Sequence, residues 1–202
     1  MKRAHKLISA LLLLLLLLTA TGCTGTKTEP ATDQTQTGEP SLSIVEGAMP
    51  SEESKAAMLA AKDDLFTRLS GRLMEAMADA GPAGAIEVCS EEAVKIAAEV
   101  GAEHAVQIGR TGVRLRNPNN QPPQWAAALV AQKVDTPVFA VLSDDSAAAL
   151  LPIKLQAQCV MCHGPEQQIL PEIKQKLAQL YPDDRATGFN EGELRGWFWI
   201  QE

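Results

Sequence analysis

The chain has 202 residues, 46% of them apolar, which is enough for one globular domain with a sizeable core and hardly enough for two of ordinary size. Aromatic residues make up 4% and charged residues 21%, so the chain is neither a disordered polyampholyte nor a coiled coil. Eighteen Lys and Arg against 25 Asp and Glu give a net charge of −7, the wrong sign for a nucleic-acid binder, whose phosphate contacts need a basic surface.

Residues 1–22 read as an export signal. Lys2, Arg3 and Lys6 form a basic start, the run Leu11–Leu18 is an apolar stretch too short to span a bilayer comfortably, and Thr19 to Gly22 are small. The exit Ala20-Thr21-Gly22-Cys23 resembles the bacterial lipoprotein box, which implies a lipid on Cys23 and a place on the periplasmic side of a bacterial envelope. The alternatives are an uncut membrane helix or a cut chain with a free Cys23. Removal of residues 1–22 takes away three cations and no acid, leaving a net charge of −10. Residues 23–50 are rich in Thr, Gln, Glu, Gly and Pro and bury too little to offset the entropy of ordering, so they are expected to form a tether.

The folded domain is expected over residues 51–202. Ser51 is an N-cap, Glu52 and Glu53 suit the positive helix start, and Leu59, Phe66, Leu69, Leu73 and Met77 make one apolar stripe that Gly81-Pro82 ends. Met74 and Met77 read as core. A second helix is expected from about Ser90 to Glu99, with Ala85–Cys89 between the two. Val106 and Ile108, then Val113 and Leu115, suggest two short strands interrupted at Gly109–Gly112. Asn117–Asn120 is a turn, and Trp125–Ala131 a short helix behind Pro122-Pro123. Pro137–Leu142 is the strongest strand, Ile153–Leu155 a further one, Ile169–Leu180 helical, and Trp197–Ile200 a terminal strand. Helices flank short strands with no βαβ rhythm, so the class is α+β with an antiparallel sheet.

Chemistry concentrates at Cys159-Val160-Met161-Cys162-His163. This Cys-x-x-Cys-His spacing sets two thiols where each can form a thioether with a haem vinyl group, while the adjacent imidazole reaches the iron. It predicts one covalent haem c. Two other readings of the same residues are a disulfide or redox pair with an incidental His, and a Cys₃His zinc set completed by Cys89. With Cys23 given to lipid and two thiols to haem, Cys89 is left unpaired, either as an iron ligand or as a small buried hydrophobe. The other side chains open to the second axial position are His104, Met58, Met74 and Met77.

Several blocks resemble one family when taken together: Ala85–Cys89, Gly109-Arg110-Thr111, Arg116–Asn119 with Trp125, Cys159–Gly164, Tyr181–Gly188 and Gly192–Gly196. They run in order across residues 52–202 and are similar to a domain family of c-type haem proteins of unassigned function. The resemblance implies a single domain with a PAS-like antiparallel sheet flanked by helices. It also implies thioethers at Cys159 and Cys162, His163 as proximal ligand and a thiolate from Cys89 as distal ligand. The Trp of the middle block, usually followed by an acid in this family, is followed here by Ala126.

The chain therefore reads as a lipid-anchored periplasmic haem protein that transfers electrons to an unknown redox partner or senses redox state or a small ligand. A rival class is a haem enzyme such as a peroxidase, with His104 as the remaining imidazole. Arg110 and Arg116 are the candidates for holding a haem propionate, since a buried carboxylate is well met by a guanidinium.

Overall fold

The computed structural model describes residues 41–202, so the signal, Cys23 and the tether up to residue 40 lie outside the described residues. Helix α1 (Glu52–Glu87) starts as its sequence asks: the Ser51 hydroxyl accepts from the Ser54 N–H at 3.0 Å, and Glu52 and Glu53 occupy the first turn. Gly81-Pro82 breaks the helix without ending it. Gly81 sits at φ 72°, ψ −179°, a region only glycine occupies cheaply, and Pro82 restarts the helix where its missing N–H costs nothing. A π-helical turn (Val88–Glu92) then leads straight into α2 (Ala93–Glu103). The Ala85–Cys89 segment, expected between helices, is thus itself helical, and α2 starts three residues later and runs four residues further than its apolar pattern suggested.

The buried line of α1 is Met58, Ala61, Leu65, Leu69 and Ala76. It lies about one position away from the expected stripe, leaving Phe66 42% exposed. Close approach to the sheet selects the alanines, and the larger Phe66, Leu73 and Met77 turn towards a cavity instead.

The sheet is wholly antiparallel, in the order β1-β4-β3-β2. Its strands are β1 (Gln107–Gly112), β2 (Val138–Val141), β3 (Ala147–Lys154) and β4 (Leu194–Gln201). The two short strands expected around residues 106–115 are one strand that runs through the glycines thought to interrupt it, while Val113 and Leu115 lie beyond its end. The reason is packing across the ladder. The Trp199 ring lies so close that a Cβ on Gly109 would stand 2.5 Å from its Cζ2. Strand β3 was visible in the sequence only at its end, because Ala147-Ala148-Ala149 carries little strand preference.

Side chains of β3 alternate between two cores. Ala147, Ala149 and Leu151 join Met58, Leu65, Val100, Phe198 and Ile200 beneath α1 and α2. Ala148 and Leu150 face Trp125, Leu142 and Trp197 on the other side, where a 3-10 turn (Gln124–Ala126) and α3 (Ala127–Ala131) pack. Burying both faces explains why this strand reads as apolar throughout rather than alternating.

The folded part also begins earlier than Ser51. Val45 N–H donates to the Val141 carbonyl and Ser143 N–H to the Ser43 carbonyl, both at 2.9 Å, and Ile44 bridges Leu142. Strand β2 is an edge whose unpaired backbone groups recruit this segment. After β3 come a 3-10 turn (Ala157–Cys159), the single turn α4 (Val160–His163) and α5 (Pro171–Leu180).

Candidate functional site

Three walls meet at one cavity: the second half of α1 with the π-turn, the β1 and β4 end of the sheet, and α4 with the loop that follows α5. Cys159 closes a 3-10 turn and Cys162 lies one helical turn later, so both thiols stand on one side, with His163 beside them. The loop at 184–189 clamps this segment. Gly188 N–H donates to the Gly164 carbonyl at 2.7 Å and Phe189 N–H to the His163 carbonyl at 3.0 Å.

His163 Nδ1 lies 2.7 Å from the Ala186 carbonyl oxygen. A carbonyl can only accept, so Nδ1 carries the hydrogen and Nε2 keeps its lone pair for a ligand. Burial, reinforced by the charges of Arg116 and Arg195, pushes the imidazole well below its ordinary pKa and keeps it neutral. A neutral, oriented imidazole is the form that binds a metal.

Cys89 reaches the cavity from the π-turn. Such a turn holds one extra residue per hydrogen-bonded ring, and this shifts the direction in which its side chains point. Burial pushes the thiol pKa up, while Arg110, Arg116 and Arg195 pull it down. Tyr181, also on the cavity wall, has its hydroxyl pushed up to about 12 by burial and by Cys89.

Strand β1, the loop after it and strand β4 supply the positive charges. Arg116 is 8% exposed and held at two nitrogens: Nε donates to Asp184 Oδ2 at 2.9 Å and Nη2 to the Cys162 carbonyl at 2.6 Å. Asp184 in turn accepts the Ala186 N–H at 2.7 Å, so one buried pair ties the Cys-x-x-Cys-His segment to the residue that orients His163. Arg195 Nη1 donates to the Arg114 carbonyl at 3.1 Å, and its Nε stands 3.4 Å from His163 Nδ1. Burial and the neighbouring Arg116 and Arg110 bring Arg195 down to about 10. Arg110 makes no ion pair with any described residue, and burial lowers its pKa too.

The cavity thus brings together Cys159, Cys162, His163, Cys89, Arg110 and Arg116. Arg195, Tyr181 and the apolar Phe66 and Leu73 on the same wall were not expected as site residues. A lone arginine amid the apolar residues of β4 was the available signal for Arg195.

The other axial candidates separate. His104 Nε2 lies 3.1 Å from Asp64 Oδ2, within a cluster that also holds Arg68 and Glu103, and is not on the cavity wall. Met58 is wholly buried in the core, while Met74 and Met77 line the cavity. No three His, Cys, Asp or Glu side chains among the described residues converge as a metal-binding group, so Cys89, Cys159, Cys162 and His163 do not form a tetrahedral set.

Comparison with known proteins agrees with this architecture. A family model described as Tll0287-like matches residues 27–201. The crystal structure of the cyanobacterial heme-protein Tll0287 is similar to this chain at 21% identity with a TM-score of 0.54, over 76% of this chain and 96% of that one. That likeness establishes the α+β, PAS-like arrangement. No curated protein matches.

Proposed function

The chain belongs to the Tll0287-like family, and from that membership and the residues of the cavity we propose that it is a c-type haem protein of electron transfer or redox sensing. Its thioethers form at Cys159 and Cys162, its proximal ligand is His163 and its distal ligand is Cys89. The observation that carries this reading is the convergence on one cavity of a Cys-x-x-Cys-His turn, an imidazole with Nε2 free, and a thiol from the π-turn.

The residues fit such a group by their chemistry. Apolar side chains from α1 suit the faces of a large aromatic ring, and two thiols on one side of a helical turn suit two neighbouring vinyl groups. Charge fits as well. Asp184 offsets Arg116, and Arg110 on the same cavity wall has no ion pair with any described residue. Because Arg116 is already committed to Asp184 and Cys162, the propionate role falls to Arg110.

When bound, the haem iron supplies a one-electron couple. The chain's own residues do the rest. The Ala186 carbonyl holds the Nδ1 hydrogen, which orients His163 and raises its basicity. Cys89 brings an anionic sulfur, which favours the ferric state. Phe66 and Met74 form a partly exposed apolar rim at which an external redox protein can approach. Cys23, with a lipid at the mature N-terminus, keeps the domain at the periplasmic face of a membrane.

The displacement of His104 to the Asp64 cluster favours this reading over a peroxidase, which needs a distal acid–base group. The experiment is extraction of the purified protein with acidified organic solvent. The chromophore is expected to stay on the polypeptide and to be lost in a Cys159→Ala, Cys162→Ala double variant. Release of free haem from the parent would sink the reading.

A further inference from the structure

Around the proximal histidine there is one contact that ligation does not explain. The Arg195 guanidinium reaches the Nδ1 edge of His163, at 3.4 Å from its Nε, although Nδ1 already spends its hydrogen on the Ala186 carbonyl at 2.7 Å. An N–H nitrogen in a ring has no lone pair to offer, so Arg195 gains no hydrogen bond from the imidazole. It is held there by other groups. Nη1 donates to the Arg114 carbonyl, and the guanidinium carbon lies 5.4 Å from the centre of the Phe189 ring, which Arg114 covers at 4.0 Å. Phe189 belongs to the loop that accepts no freedom from the histidine segment, since its N–H is bonded to the His163 carbonyl.

We propose that Arg195 is a positioning residue whose half-buried positive charge, fixed against the Nδ1 edge of His163, raises the reduction potential of the site against the pull of the Ala186 carbonyl. This rests on the proposed haem reading. The two neighbours act with opposite sign on the same ring. By accepting the Nδ1 hydrogen, Ala186 pushes electron density towards Nε2 and favours the oxidised metal. A nearby fixed cation disfavours the added positive charge of oxidation, and a half-buried one is screened less than a cation in open water. The Asp184 carboxylate does not cancel this field, because it is bonded to Arg116 and to the Ala186 N–H. A site ligated by thiolate would otherwise hold its electron at a very low potential, and a half-buried arginine behind the imidazole moderates that.

The test is redox titration of the holoprotein and of Arg195→Gln and Arg195→Lys. Gln keeps a donor for the Arg114 carbonyl and removes the charge; Lys keeps the charge. The Gln variant is expected to shift the equilibrium about tenfold towards the ferric state, about 59 mV for a one-electron couple. The Lys variant is expected to stay near the parent. Equal potentials in parent and Gln variant overturn the inference, and so does an equal shift in both variants, the mark of a purely structural role. Should Arg195→Gln not assemble, Arg195→Met is titrated in its place under the same criteria. Each protein is first extracted with acidified solvent. A parent without covalent haem overturns the haem reading and this inference with it, whereas covalent haem with an unmoved potential overturns this inference alone.

Discussion

Cys89 shows how much of a residue's role is set by its neighbours. On its own, a thiol this deep is pushed towards the neutral form by burial. Three arginines oppose that push, and on the proposed reading the haem iron would complete the deprotonation, so that the same side chain would pass from inert hydrophobe to anionic ligand. Replacing Cys89 by Ala removes an anion from the metal's surroundings while leaving Cys159 and Cys162 untouched. The ferric spectrum is expected to change from low to high spin. The potential is expected to rise by on the order of 0.1 V, a fraction of the ~0.8 V over which axial ligands act. An unaltered ferric spectrum would transfer the distal position to Met74 or Met77, the remaining candidates on that cavity wall.

At the scale of elements, the site depends on how tightly β1 and β4 approach, since these strands carry Arg110 and Arg195. Gly112 and Gly196 face each other in the ladder, and a Cβ on Gly196 would lie 2.1 Å from the Thr111 carbonyl oxygen. That neighbour is backbone and has no rotamer to escape into. Gly196→Ala is therefore expected to cost about 3 kcal/mol, at the upper end of ordinary overpacking, seen as a lower urea midpoint with little change in slope. A midpoint equal to the parent's would mean that the two strands separate without loss.

The same pair of strands explains what could and could not be read from the sequence. Ser51, the Asn117 turn, α3, β2 and α5 rest on local chemistry and stand close to where their residues predict. At Asn117, for example, the carbonyl accepts the Asn120 N–H at 3.1 Å and the side chain accepts the Asn119 N–H at 2.9 Å. Gly109–Gly112 was misread as an interruption because glycine weakens a strand in isolation, whereas here it admits the Trp199 ring. Residues Ala147–Leu151 hid for a similar reason: alanine is a poor strand former that two-sided burial selects for its size. The Cys-x-x-Cys-His motif was legible because its ligands are neighbours in the chain. Arg195 was not, because its partners, His163 and Arg114, are brought to it only by the folded loop at 184–189 and the sheet.

At the scale of the whole molecule, the proposed lipid anchor can be tested on its own. Among the described residues no helix is long and apolar enough to cross one. Without residues 1–22 the chain carries a net charge of −10, which anionic headgroups repel, so the domain has no electrostatic reason of its own to stay on a lipid surface. On the proposed reading, attachment falls to the lipid on Cys23. Residues 24–40 can reach at most about 60 Å even if fully extended, and the chain is next fixed where Ser43 and Val45 bond to the edge of β2. Cys23→Ser is expected to remove lipid labelling and to move the protein from the membrane fraction to the soluble periplasm, or to leave it unprocessed. Its haem spectrum should stay the same, since the cavity lies wholly within residues 66–198. Lipid labelling that survives the substitution would count against a lipoprotein. A processed protein still in the membrane fraction would point to an attachment through the folded surface, which the acidic charge gives no reason to expect.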